Sequence, residues 1–271
     1  MSKVFLIAEA ACTWRTDAVK IKDSEWMTLC RLADEVKAAG FDALKIQYCS
    51  DANELARRRN LHDHTPYLPL EFEPKYLAEF NQLCLARNLE PMCTVYLPQD
   101  VATVTPHVTR YKVASLEARS QSLFDAYQSV PYKTLYVSTG AMTEEELFRT
   151  QILWNRTKHA IEYLHCVAAY PAPLAAMNLS ILQNYDFIGL SDHTGDMDIG
   201  GLAVIAGAEV IEVHIKSIYT DKINPDYAHS LSPFGFNAYA MGVRDAEQAK
   251  GDGQKRLDSC EADLAKHRVT E

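Results

Sequence analysis

Short runs of apolar and β-branched residues recur along the chain, separated by stretches whose apolar positions lie three and four residues apart. The runs predict strands at VFLIAE (4 to 9), DALKIQ (42 to 47), PMCTV (91 to 95), RYKVAS (110 to 115), TLYVST (134 to 139), AIEYLHC (160 to 166), DFIGLS (186 to 191) and EVIEVHI (209 to 215). Between them, SEWMTLCRLADEVKAAG has helical periodicity, with Ser24 as its expected cap and Gly40 as its stop. FEPKYLAEFNQLCLARN and TEEELFRTQILW follow the same pattern. Eight strands alternating with helices, without a break in composition, predict an α/β fold: a single (β/α)8 TIM barrel over residues 1–248. An open doubly wound sheet fits less well, because the first strand-to-helix turn, EAACTWRTD, lacks the glycines of a dinucleotide site.

Two regions fall outside the alternation. Residues 49–70, CSDANELARRRNLHDHTPYLPL, form a long connection rich in Arg and His, expected to be either functional or a solvated excursion. Residues 249–271 form a polar tail expected to pack weakly or to act as a linker. There is no internal repeat or low-complexity tract.

Composition narrows the function. A net charge of -9 argues against nucleic-acid or anionic-membrane binding, both of which need a basic field. The 7 cysteines include no C-x-x-C pair, so neither a disulfide framework nor a zinc ribbon is expected, and a reducing cytoplasm fits. Glu9 interrupts the apolar start, which therefore reads as a strand and not a signal peptide. No apolar run reaches the roughly 18 residues that a membrane span needs.

In a barrel of this kind chemistry gathers at the carboxyl ends of the strands. Those ends carry Glu9, Lys45, Gln47, Thr94, Lys112, Ser115, Glu117, Ser138, Thr139, His165, Ser191, Asp192, His193, Glu212 and His214. Lys45 and Lys112 sit inside apolar strands, where a lone ammonium is costly unless an anion offsets it. Hydroxyls at Thr94, Ser115, Ser138 and Ser191 can complete a phosphate or carboxylate site; alternatively the lysines pair with Glu9 and Glu117. His193 and His214 end the last two strands, which neighbour each other about 4.8 Å apart, so both imidazoles can converge on one divalent ion with open positions. The alternative is two structural pairs with Asp192 and Glu212; spacing alone leaves both open.

LIAEA, ALKIQ, YKVASLE, VSTGAMTEEEL, LHCVAAYPAPLAAMNL, IGLSDHTGD, GAEVIEVHI and PDYAHSLSP together resemble the sialic acid synthase family, the phosphoenolpyruvate-condensing N-acetylneuraminate synthases and their relatives. The resemblance implies a TIM barrel that joins phosphoenolpyruvate to an amino-sugar aldehyde with a divalent ion, manganese or magnesium, releasing phosphate and a 2-keto-3-deoxy sugar acid. It implies His193 and His214 as metal ligands, and Lys45, Thr94, Lys112, Ser115, Ser138 and Ser191 around phosphoenolpyruvate. Glu9, Gln47, Tyr170 and Asp226 are implied at the sugar, and Glu117 as a proton-transfer or water-orienting group.

Three departures stand out. Thr13 and Trp14 occupy positions where the family has Asn and His, and Val213 replaces a usual lysine, so the acceptor is not fixed as N-acetylmannosamine. The tail resembles the family's linker to an antifreeze-like lid domain, so the expectation is a catalytic barrel without that domain. Its mouth is then expected to be covered by a homodimer partner, a separate lid subunit or the 49–70 segment with Arg57, Arg58 and Arg59. Two rivals are a Schiff-base aldolase using Lys45 or Lys112, and a silent ligand-binding relative acting as a sensor or partner subunit.

Overall fold

The computed structural model describes residues 3–16 and 21–269. The ends of the predicted barrel and tail (1–2 and 270–271) and Asp17, at the close of EAACTWRTD, lie outside the described residues. The eight predicted strands all form: β1 Phe5–Ala11, β2 Ala43–Tyr48, β3 Glu90–Val95, β4 Arg110–Val113, β5 Thr134–Ser138, β6 Ala160–Cys166, β7 Phe187–Asp192 and β8 Val210–His214. They pair in parallel and in chain order, and β1 also pairs with β8, which closes the barrel.

Around the barrel run α1 Asp23–Ala38, α2 Ala52–Arg58, α3 Lys75–Leu85, α4 Asp100–Val104, α5 Gln121–Gln128, α6 Glu144–Trp154, α7 Ile199–Ala206 and α8 Pro233–Lys250. Only two 3-10 turns, Leu174–Ala176 and Leu179–Gln183, lie between β6 and β7. Helix α1 starts two residues earlier than Ser24 predicts: Lys22 is the cap, and its N–H donates to Glu25 Oε2 at 2.9 Å. Asp23 and Glu25 place negative charge in the first turn, where the orphan N–H groups favour it. Gly40 does end the helix region, at φ +84°.

Side chains alternate across a strand with period two, so each strand presents every second residue to the barrel axis. That period produces two stacked layers. The lower is apolar and buried, made of Ile7, Ala43, Met92, Tyr136, Leu164 and Val210. Two residues further along these strands come Glu9, Lys45, Thr94, Ser138, Cys166 and Glu212, which are polar and also buried. The outward residues join the main core beneath the helices, where Leu6, Leu44, Val113, Leu135, Leu190 and Ile211 are fully covered.

The 49–70 segment is anchored at its ends, while residues 60–63 and 65–66 in its middle are exposed. The Cys49 N–H donates to the Leu70 carbonyl at 3.1 Å, pinning its two feet together. Helix α2, capped by the Asp51 side chain, and a 3-10 turn at Thr65–Leu70 fill the span. Cys12, Cys49, Leu55, Leu70, Tyr96 and Leu97 form a small apolar cluster under it. The tail after α8 is exposed from Gly251 to Leu264.

Barrel closure makes a stringent demand at Gly189, where an added Cβ would lie 1.7 Å from the Val210 carbonyl oxygen in the neighbouring strand. Gly189→Ala is expected to cost several kcal/mol, on the order of 3 or more, in urea denaturation. Gly242→Ala, in helix α8 with open space around the new Cβ, is expected to gain about 0.5–1 kcal/mol.

Candidate active site

A cavity of about 370 Å³ opens at the carboxyl ends of the strands. Its floor is the polar layer. Lys45 bonds Glu9 in a close ion pair, donates to Thr94 Oγ1 at 2.7 Å and lies 3.5 Å from Glu212 Oε2. Lys112 donates to Ser138 Oγ at 2.8 Å and lies 3.6 Å from Glu212 Oε1, which also accepts from Ser191 Oγ at 2.9 Å. Two ammoniums and two carboxylates are thus enclosed together, all but a few per cent buried. The strand register makes this possible, since Glu9 aligns with both Lys45 and His214, Thr94 with Lys112, and Ser191 with Glu212.

Burial opposes charge on every member of this set, and the partners decide the outcome. Burial disfavours the Glu212 carboxylate, but Lys112, Lys45 and the Ser191 hydroxyl hold it down to about 2. Burial works against Lys45 as well, yet Glu212 and Glu9 hold it charged, above its ordinary value. Burial and the neighbouring Lys45 push Lys112 down, against Glu212. Charged and capped by two carboxylates, Lys45 is a poor Schiff-base nucleophile. Of the pairings expected for the lysines, the one with Glu9 forms; Glu212 supplies the other carboxylate in place of Glu117.

Local backbone positions the acid. Strand β1 shifts register between Glu9 and Ala11, and Ala11 adopts φ +45°. Its N–H donates to Glu9 Oε1 at 2.7 Å, which holds that carboxylate across the turn. Gln47 Nε2 donates to Glu9 Oε2 at 3.3 Å.

Above the floor, on the β8 side, His214, Asp226 and His229 bring one ligand atom each within 4.8 Å of one another. His214 Nδ1 and both ring nitrogens of His229 are buried without a hydrogen-bond partner, although His229 Nε2 stands 3.4 Å from Asp226 Oδ1. Buried ring nitrogens left in this way are what a cation would complete. Burial and the adjacent His229 keep His214 neutral, well below its usual value. Burial opposes ionisation of Asp226, but the histidines and the Cys12 thiol hold it well below the usual carboxylate range. Neutral imidazole and ionised carboxylate are the ligating forms.

His193 lies beside this group, its ring centroid 5.2 Å from His214 and 6.3 Å from His229. Its Nδ1 is 2.9 Å from the Val167 carbonyl and 3.6 Å from Cys166 Sγ, so Nδ1 donates to that carbonyl and Nε2 is the nitrogen that would have to give up its proton to ligate a cation. Burial disfavours the imidazolium, yet Cys166 and the Val167 carbonyl push His193 up to about 9. The paired alternative for the histidines does not form. Asp192 accepts from Tyr239 Oη at 2.9 Å and from the Thr194 N–H at 2.8 Å, which fixes the end of β7. Tyr239 reaches it because Gly200 leaves room: a Cβ there would lie 2.4 Å from the tyrosine ring.

The remaining expected residues divide. Ser115 Oγ accepts from the Gly140 N–H at 3.0 Å and lines the cavity, as does Tyr170, whose ring is 4.4 Å from that of His193. Glu117 does not line it. Glu117 Oε1 accepts from Arg59, while Oε2 is buried without a partner, and burial pushes the carboxyl up despite Arg59. Sequence reasoning missed His229, although its position three residues after Asp226, in PDYAHSLSP, places both on one turn.

A closed parallel barrel with a lysine and hydroxyl floor beneath a His, Asp and His group that could hold a cation has the form of an anion-handling barrel enzyme. The profile of the NeuB family matches residues 9–255. Pseudaminic acid synthase of Campylobacter jejuni is 32% identical over 244 residues, 82% of this chain and 70% of that one. N,N'-diacetyllegionaminic acid synthase of Legionella pneumophila is 28% identical over 274 residues, 93% of this chain and 74% of its own. The chain belongs to the NeuB family, the phosphoenolpyruvate-dependent nonulosonic acid synthases. For the fold, N-acetylneuraminic acid synthetase of Leptospira borgpetersenii in complex with citrate superposes with a TM-score of 0.82 at 23% identity, covering 98% of this chain and 92% of that one. A truncated 3-deoxy-D-arabino-heptulosonate 7-phosphate synthase of Thermotoga maritima reaches 0.67 at 14%, covering 91% and 87%.

The Glu212 result fixes a pH dependence. Its folded value, about 2, is depressed below its ordinary 4.5, so its contribution is present above about 4.5 and is lost as pH falls toward 2. Glu212→Gln is expected to flatten the stability profile across that window and to cost about 3–5 kcal/mol at pH 7, since Lys45 keeps Glu9 but Lys112 is left without a carboxylate partner. Urea titrations at a series of pH values check both.

Proposed function

We propose that this protein condenses phosphoenolpyruvate with the open-chain aldehyde of an acetamido sugar, releasing phosphate and a sialic-acid-like 2-keto-3-deoxy sugar acid. One observation carries the reading: a two-lysine, hydroxyl-bearing floor and a His214, Asp226 and His229 group whose histidine nitrogens lack hydrogen-bond partners share one cavity. Similarity to pseudaminic and legionaminic acid synthases supports a nonulosonic product and an acceptor with more than one acetamido group.

In this reading Lys45, Lys112, Thr94, Ser115, Ser138 and Ser191 bind the phosphate and carboxylate of phosphoenolpyruvate. The two lysines are already balanced by Glu9 and Glu212, so the incoming anion exchanges partners with them and does not meet bare charge. Glu9, Gln47, Tyr170 and Asp226 face the sugar. His214, Asp226 and His229 would hold a divalent ion, manganese or magnesium, with His193 Nε2 beside it. That ion, when bound, supplies Lewis-acid polarisation of the acceptor carbonyl. The enol carbon then attacks the aldehyde carbon, whose oxygen takes up a proton; water adds to the resulting oxocarbenium-like centre, and the C–O bond to phosphate breaks to leave the 2-keto acid. Glu117, with one oxygen lacking a hydrogen bond but set behind Arg59 outside the cavity lining, is assigned to orient that water and take its proton through one intervening water.

Tyr170 at the mouth is 53% exposed, which supports cover by a homodimer partner or a separate lid subunit. The 7 cysteines are free, which supports a reducing, cytoplasmic setting. No described helix is long and apolar enough to cross a membrane.

Incubation with phosphoenolpyruvate, manganese and a panel of acetamido hexoses is expected to release phosphate only when an acceptor is present. Phosphate release with none of them, with or without manganese, overturns the reading. In calorimetric titrations His214→Ala is expected to abolish stoichiometric manganese binding and His193→Ala to weaken it; full binding by His214→Ala refutes the ligand set.

A further inference from the structure

Three consecutive arginines lie in the 49–70 segment, and the fold sends them to three different places. Arg57 pairs with Glu54 at the surface, and Arg58 donates to Ser120 and Ser122. Arg59 alone of the three lines the cavity. Its Nε and Nη2 both point at Glu117 Oε1, at 2.9 and 2.7 Å, and its guanidinium carbon lies 5.1 Å from the ring centroids of both Tyr67 and Tyr96. A guanidinium held by a carboxylate and flanked by two aromatic rings has little rotamer freedom left to lose.

We infer that Arg59 is an acceptor-recognising residue, presenting its remaining N–H groups to the oxygen-bearing substituents of a neutral sugar. The inference rests on the proposed condensation and names a group on the acceptor side of the same cavity.

Three features favour a neutral ligand over an anion at this point. A guanidinium carries five donors; Glu117 occupies two and the Tyr67 hydroxyl engages a further one, so donors still remain for hydroxyl or acyl oxygens. Glu117 already cancels its charge, whereas the lysine and hydroxyl floor answers the needs of an anion. The wall around it is formed by Pro66, Tyr67, Leu70 and Tyr96, an aromatic and apolar surface of the kind on which a sugar's C–H faces rest. The segment is also anchored, through the Cys49 to Leu70 hydrogen bond and the packing of Leu55 and Leu70, so the guanidinium is presented from a fixed support.

The test separates the two substrates. Wild type, Arg59→Ala and Arg59→Lys are loaded with manganese, and phosphoenolpyruvate affinity is measured by calorimetry without acceptor. Acceptor binding is then measured by saturation-transfer NMR with N-acetylmannosamine and with 2,4-diacetamido hexoses, alongside KM where turnover occurs. Loss of donors from a charged group is expected to weaken the acceptor roughly 10- to 100-fold in Arg59→Ala, with phosphoenolpyruvate affinity unchanged. Arg59→Lys, which keeps the charge and the aromatic contacts but loses the fork, is expected to recover only part of it. A matched loss of phosphoenolpyruvate affinity makes Arg59 an anion ligand and overturns the inference. A lowered melting temperature with both affinities intact reduces it to a staple for the segment and also overturns it. The NMR readout does not need turnover, so wild type that binds a sugar without releasing phosphate refutes the condensation while still deciding the role of Arg59.

Discussion

Two ammoniums and two carboxylates enclosed at the centre of the barrel are the constraint on which the rest of the site depends. Each of Lys45, Lys112, Glu9 and Glu212 would be ruinous to bury alone, since an isolated ion in a low-dielectric interior is disfavoured by several kcal/mol or more. Together they are neutral, and the hydroxyls of Thr94, Ser138 and Ser191 satisfy much of their hydrogen-bonding capacity. This balance requires that strands β1, β2, β4 and β8 keep their register, because a slip by one residue would turn each of these side chains outward. Barrel closure and charge balance therefore enforce one another.

The layer also explains how chemistry can be placed in a folded interior without destabilising it. Beneath it lies an apolar plug, while one oxygen of Glu212 in the layer itself and the His214 and His229 ring nitrogens above it have no hydrogen-bond partner. Stability is secured deep in the barrel, and unmet bonding capacity is left where ligands arrive. Asp192, Tyr239 and Gly200 extend this logic outward, since a close helix approach supplies the hydroxyl that fixes the strand end carrying His193.

Much of this was legible in the sequence. Short apolar and β-branched runs located all eight strands within a residue or two, and lysines inside such runs pointed to a buried counter-charge. What local pattern could not reveal was pairing between distant strands. Lys112 and Glu212 are 100 positions apart, and only closure of β1 on β8 brings Glu212 into the set. The same limit hid His229, which sits in an irregular segment after β8 with no periodicity to mark its direction. Lys22 caps α1 because Glu25 reaches back to its N–H, a choice that a serine two positions later obscures. Among three adjacent arginines, sequence had no means of telling which one turns inward; that depends on the short helix α2 and the tie between Cys49 and Leu70.

The apolar plug of Ile7, Ala43, Met92, Tyr136, Leu164 and Val210 has a kinetic corollary. It makes the barrel a blind shaft, with traffic through one end only. A molecule seated on the lysine floor has to arrive before anything that rests higher up, and it leaves only after the upper occupant has gone or has been joined to it. Sequence of arrival is thereby written into the architecture as a queue, with no moving gate required.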